Sequence, residues 1–201
     1  MEVFINTKEV ILKKARKLFA KHGFDGVSIR NICDKVNCNV SAISYHFGSK
    51  GELYHACLKE EGKSVMALIQ SVLTDPEDQA DFKAKLKLFI DQFFEHSYNN
   101  REAILIISKD AGSRSTMKHV ENIFNEIPLG ITAFLEAAQK KGIIREDLDV
   151  GLICSSILDP IFMKVLFADL PKNIKRKDIN DPAVRHEFVC QQADILTRGL
   201  F

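Results

Sequence analysis

Between Ser28 and Lys50 the chain gathers side chains that exchange hydrogen bonds, with no residue pattern suited to covalent catalysis. Asn39, Ser41, Ser44, Tyr45 and His46 supply an amide, two hydroxyls, a phenol and an imidazole, and Ala42 stands among them as a small apolar member. Such a set suits a patterned, polyanionic surface. Hydroxyls and amides match donors and acceptors on base edges, a small residue lets the backbone approach, and longer polar side chains reach flanking phosphates. Ser28 and the Ser49-Lys50 corner are expected phosphate clamps, because free amides at a helix start carry partial positive charge and Lys50 adds a full one. Arg30 completes the candidate set. Taken alone, the same residues could equally form an ordinary solvated helix face.

To act together they need short helices anchored by apolar residues. Ser28 is a good N-cap for a helix that turns Ile29, Ile32, Cys33 and Val36 inward, and Asn37-Cys38-Asn39 ends it. A third helix is expected from about Val40 to Phe47, with Val40, Ile43 and Phe47 as its buried stripe. In the preceding helix Ile11, Ala15, Leu18 and Phe19 share one face, while Lys13, Lys14, Arg16, Lys17 and Lys21 occupy the others. Asn6 with Glu9 fits a capping box at its start, and Gly23 is a natural stop. Ser49 and Glu52 form a Ser-x-x-Glu box that opens a fourth helix, reaching about Leu73. Two short helices joined by a tight turn, the first bracing the second in a major groove, constitute a helix-turn-helix.

Charge points the same way. Residues 1–50 carry nine Lys/Arg and four acids, whereas the other 151 carry nineteen and twenty-three, so a basic front precedes an acidic remainder. A basic segment of this kind fits a polyanionic partner, although Lys8 to Lys21 more readily lend general positive potential than specific contacts.

The stretch from Thr7 to Tyr54 resembles the DNA-binding domain of TetR-family bacterial transcriptional regulators. The resemblance is carried by Phe24-Asp25-Gly26-Val27-Ser28-Ile29-Arg30-Asn31-Ile32 and by Val40-Ser41-Ala42-Ile43-Ser44-Tyr45-His46-Phe47-Gly48-Ser49-Lys50-Gly51-Glu52-Leu53-Tyr54. Within the family, Ser-Tyr-His-Phe-Gly-Ser-Lys resembles the CecR-like subgroup. Asn37-Cys38-Asn39 departs from the usual Ala-Gly turn, so an asparagine is expected to supply the left-handed residue. The resemblance covers about a quarter of the chain. It implies a homodimer of Ω-shaped helical subunits joined through the last two helices (about 149–169 and 182–199). It also implies a palindromic double-stranded DNA operator, and a small-molecule effector bound in the body.

The rest of the sequence reads as an all-α body. Helices are expected near 79–98, 101–111, 114–127, 128–141, 149–169 and 182–199, for about nine in total, with Pro128 marking either a kink or a gap. The domain division expected is 1–50 for DNA binding, a linking helix over about 50–73, and 74–201 for ligand sensing and dimerisation. Ile153, Ile157, Ile161, Val165 and Ala168 form one apolar stripe, and Val184, Phe188, Ala193, Leu196 and Leu200 another; either an interface or the core would bury them. The effector candidates are Phe93, His96, His119, Phe124, Asp159 and Phe162, an aromatic set with a few polar members.

Several classes are disfavoured. Five scattered cysteines without CxxC spacing argue against a disulfide framework or zinc knuckle, and the six histidines show no carboxylate or cysteine partner at ligand spacing. No Gly-rich phosphate loop, nucleophile elbow or HExxH helix occurs, so no catalytic residue, metal or cofactor is expected. No apolar run spans a bilayer and the start lacks signal-peptide features, which places the expected location in the cytoplasm, away from membranes. The competing reading is a helical small-molecule-binding or scaffold protein that keeps a vestigial DNA-binding domain.

Overall fold

The computed structural model describes residues 7–110, 121–169 and 177–201, and among them are nine α-helices and no strand. The first six are α1 (Thr7–His22), α2 (Ile29–Val36), α3 (Val40–Phe47), α4 (Lys50–Val72), α5 (Gln79–Asn99) and α6 (Arg101–Asp110). The last three are α7 (Glu121–Lys140), α8 (Val150–Leu166) and α9 (Pro182–Leu200).

Helix ends fall where local chemistry puts them. Gly23 stops α1 at φ 72°, its N–H donating to the Phe19 carbonyl at 2.8 Å. Asp78, Asp149 and Asp181 cap α5, α8 and α9 by accepting from the N–H groups of Asp81, Leu152 and Ala183. Each such cap contributes about 1 kcal/mol. Pro182 occupies the first turn of α9, where its missing N–H costs nothing. Pro128 proves to be no gap: it lies inside the continuous α7. The first half of the helix expected over 114–127 lies outside the described residues, as does Asn6 of the expected capping box, and its second half is the start of α7.

The chain divides into two compact units, one comprising Met1–Lys63 with Glu102–Phe124, the other Ser64–Arg101 with Asn125–Phe201. In the first, Ile11, Ala15 and Phe19 of α1, Ile32 and Cys33 of α2, Ile43 of α3 and Leu53, Tyr54, Cys57 and Leu58 of α4 form one buried core. Ala103 and Ile106 of α6 join it, so part of the segment read from sequence as body completes the core beneath the short helices.

In the second unit the Phe82 and Phe134 rings stack at 5.0 Å, and Phe94 meets Phe188 at 5.2 Å. Ile153, Ile157, Ile161 and Val165 are buried within this unit, so these members of the stripe are core, while Ala168 is half-buried. On the last helix Ala193 and Leu200 are buried, while Val184, Phe188 and Leu196 are half-buried. A different apolar set on the same two helices faces outward: Leu152 and Met163 of α8 and Ile195 of α9. Pro160 inside α8 removes the N–H that the Ser156 carbonyl would accept. Gln192 of α9 supplies the replacement, its Nε2 donating to Ser156 at 3.0 Å and Ile157 at 3.2 Å. Arg185 ties α9 to α5 through Glu95 at 2.6 Å, and donates to the Ile179 carbonyl at 2.9 Å.

Candidate nucleic-acid interface

The start of α2 is held by its own side chains. Ser28 is extended (φ −100°, ψ 156°), its Oγ accepts from the Asn31 N–H at 3.1 Å, and its own N–H donates to Asn31 Oδ1 at 3.0 Å. The Ser28 hydroxyl also donates to Asn31 Oδ1 at 2.7 Å. Ser28 therefore spends its side chain on the reciprocal cap. Arg30 is exposed in that first turn.

Asn37 then supplies the left-handed residue (φ 51°, ψ 48°), the only positive φ among described non-glycine residues. The Cys38 N–H reaches back to the Cys33 carbonyl at 3.2 Å, closing the turn in the Schellman pattern. Asn39 caps α3 with its backbone alone, its carbonyl accepting from Ala42 at 3.0 Å, and its side chain makes no capping bond.

On α3 the division of faces is sharp. Ile43 is fully buried, whereas Asn39, Ser41 and Ser44 are exposed and Tyr45 is 86 % exposed. Ala42 and His46 are half-exposed, and the Tyr45 and His46 rings meet edge to face at 5.1 Å. The expected buried stripe needs one correction. Val40 is 45 % exposed and Phe47 half-buried, so Ile43 alone anchors the helix fully.

Gly48 (φ 81°) ends α3, and Ser49 opens α4 by accepting the Glu52 N–H at 3.1 Å. Lys50 turns inward: Nζ donates to the carbonyls of Phe24 and Val27, each at 3.0 Å, and sits 4.1 Å from the centre of the Phe24 ring. Sequence reasoning marked this lysine for its charge, and nothing in the local pattern announces its internal partners. Arg16 is similarly engaged, pairing with Glu61 of α4 at 2.7 Å. Lys13, Lys14, Lys17 and Lys21 remain exposed along α1.

The described effector candidates lie on α5 and α8. Phe93 is half-buried and stacks on Phe89 at 5.5 Å; His96 is half-buried beside Asn100, whose Nδ2 donates to the His96 carbonyl at 3.0 Å. Phe162 is half-buried, but Asp159 is exposed on the outer side of α8, opposite Ile157 and Ile161. His119 and the Phe124 side chain lie outside the described residues. One histidine does have a close cysteine: Cys190 Sγ lies 3.5 Å from His186 Nε2, one helical turn along α9, which corrects the expectation of none. Two ligands do not make a metal site, and no cluster of three or more His, Cys, Asp or Glu occurs among the described residues. No helix among them is long and apolar enough to cross a membrane.

Comparison with known proteins agrees with this geometry. Residues 11–57 match the family model described as bacterial regulatory proteins, tetR family. The chain is 26% identical over 113 residues to the probable HTH-type transcriptional regulator YttP of Bacillus subtilis, covering 56% of this chain and 54% of that protein. It is also 26% identical over 198 residues to the HTH-type transcriptional repressor NicS of Pseudomonas putida, covering 96% of this chain and 92% of NicS. Among the first curated relatives it matches, the chain spans about half their length. The fold is similar to that of the transcriptional regulator FadR from Bacillus subtilis, solved in complex with stearoyl-CoA. There the TM-score is 0.74 at 16% identity, covering 96% of this chain and 99% of that one.

Proposed function

We propose that the chain is a member of the TetR family of bacterial regulatory proteins, and that it is a dimeric, sequence-specific DNA-binding repressor released from its operator by a small molecule. The observation that carries this reading is α3, a two-turn helix with Ile43 fully buried and Ser41, Ser44 and Tyr45 exposed on its other side. Such a helix enters a major groove with its polar face while its apolar face stays on the domain. Ser41, Ala42 and Ser44 then lie against base edges, with Asn39, Tyr45, His46 and Ser49 toward the sugar-phosphate backbone. The free amides at the start of α2 and the Arg30 side chain bind phosphate, and the exposed lysines of α1 raise the potential around them.

Dimerisation uses α8 and α9. Leu152 and Ile195 are 69 % and 71 % exposed, and Met163 is 46 % exposed, large apolar side chains that a partner copy covers. Two copies related by a two-fold axis read a palindrome whose half-sites lie about one helical turn, or a multiple, apart. The effector binds in the second unit, where Phe93, His96, Phe162 and Asp159 are the candidate contacts. By linkage it must bind more tightly to the conformation with weaker operator affinity, and DNA must weaken the effector by the same factor. Relatives named as transcriptional repressors support the sign of the regulation.

The test is titration of the purified protein against duplexes from its own promoter region, with random duplex as competitor. Retained binding under excess competitor supports the proposal. Displacement at the same competitor ratio as random DNA refutes it.

A further inference from the structure

We propose that Lys50 is a positioning residue: its ammonium fastens the loop before α2 to the start of α4, and its effect on DNA binding runs through that placement rather than through a phosphate ion pair. The inference rests on the DNA-binding reading above.

An ammonium is a compact charge with three donors and no acceptor. Here Nζ bridges two carbonyls three residues apart, Phe24 and Val27, at 3.0 Å each. Between them stand Asp25 and Gly26, and immediately after them comes Ser28, the N-cap of α2. Val27 anchors the loop in the core, and Phe24 packs on Phe19. The loop's internal backbone bond, from the Val27 N–H to the Phe24 carbonyl, is long at 3.3 Å. Gly26 contributes no side chain, and a Cβ there would lie 2.3 Å from the His22 carbonyl oxygen. The Phe24 ring completes the fastening: it lies under the Lys50 ammonium and packs edge to face on Tyr54 of α4 at 5.1 Å. Lys50 thus fixes where α2 begins, and with it the direction of the free amides and the brace beneath α3.

Lysine and arginine separate the two roles. A guanidinium binds phosphate at least as well as an ammonium, but it is longer and broader, and it cannot bring a nitrogen to the point where Nζ lies 3.0 Å from both carbonyls and 4.1 Å from the centre of the Phe24 ring without displacing the loop. A phosphate contact therefore survives Lys50→Arg, and the loop fastening does not.

The experiment compares full-length wild type, K50R and K50A on a selected operator duplex and a random duplex across a salt series, at a temperature where circular dichroism shows all three folded. Amide hydrogen exchange at Val27 to Arg30 is followed in parallel. The expected result has four parts. Exchange at these amides quickens in both variants, operator affinity falls about tenfold in both, the operator-to-random ratio drops, and the slope of log affinity against log salt stays at the wild-type value. A lysine that merely stabilised the fold would leave that ratio unchanged in folded protein. Recovery of affinity in K50R, or a slope shallower by about one unit in K50A, overturns the proposal. Should wild type itself prefer no sequence, the DNA-binding reading fails. Lys50 is then judged on exchange alone, and wild-type protection in K50A refutes the fastening.

Discussion

Ile43 and Tyr45 stand two positions apart on α3, one wholly buried and the other 86 % exposed, and their substitutions are expected to fail differently. Ile43→Ala removes the helix anchor and lowers unfolding stability by about 2–5 kcal/mol, read by chemical denaturation. Tyr45→Ala leaves stability within about 0.5 kcal/mol but weakens operator and random duplex alike, because a phosphate-side contact carries no sequence information. Ser44→Ala instead changes the preferred base at its position, with discrimination of about 1–3 kcal/mol at stake. Equal losses on both duplexes for Tyr45 and Ser44 variants would refute that division. Cys57 gives a pH signature. Burial pushes its thiol from 9.0 up to about 12, with a smaller opposing pull from Arg16. The folded state keeps the proton that the unfolded thiol loses, so this contribution is intact below about pH 9 and erodes as pH rises toward 12. Denaturant titrations at pH 7 and pH 10 should show a shallower alkaline loss in Cys57→Ala than in wild type. At this scale the candidate surface was largely legible, since Ser28, Ser41, Ser44 and Tyr45 lie where the pattern puts them. The partner roles were not. Asn31 as the reciprocal cap departs from the usual Glu or Gln, and the internal bonds of Lys50 depend on a loop twenty-three residues or more away.

Element boundaries were legible wherever a residue has no alternative conformation or partner. Gly23, Asp78, Gly142, Asp149 and the Asp181-Pro182 pair end or begin helices by their own chemistry. Pro128 left a kink and a gap both open in the sequence, because a proline interrupts one hydrogen bond without obliging the helix to stop, and α7 runs through it. Which core a helix joins is not written in its own period: Ala103 and Ile106 show an ordinary helical face, yet pack with α1 to α4. Two helical glycines test packing against propensity. A Cβ at Gly130 would lie 2.8 Å from Cγ2 of Ile69, a branched side chain in α4 with little freedom to yield, whereas nothing lies within 4 Å at Gly199. Gly199→Ala should therefore raise stability by about 0.5–1 kcal/mol, and Gly130→Ala should lower it despite the same gain in propensity. Thermal melts of the pair decide this, and a stabilised Gly130→Ala would show that α7 and α4 have room to spare.

For the whole molecule, the apolar residues left outside the core bear on assembly. Leu152, Met163 and Ile195 are exposed while the neighbouring Ile153 to Val165 stripe is already buried, so the apolar side chains left for a partner are ones the sequence pattern did not single out. Leu152→Asp combined with Ile195→Asp should leave helix content intact and convert a dimer to a monomer by sedimentation, with operator affinity lost in step. A double variant that stays dimeric would place the interface elsewhere. The central claim, that α3 reads DNA as one half of a symmetric pair, is tested most directly by selecting bound sequences from a random duplex pool at two salt concentrations. The account predicts enrichment of a palindrome with half-sites about one helical turn, or a multiple, apart, persisting at the higher salt. Recovery of unenriched DNA whose binding vanishes with salt would contradict it, leaving a basic helical protein that meets DNA only through its charge.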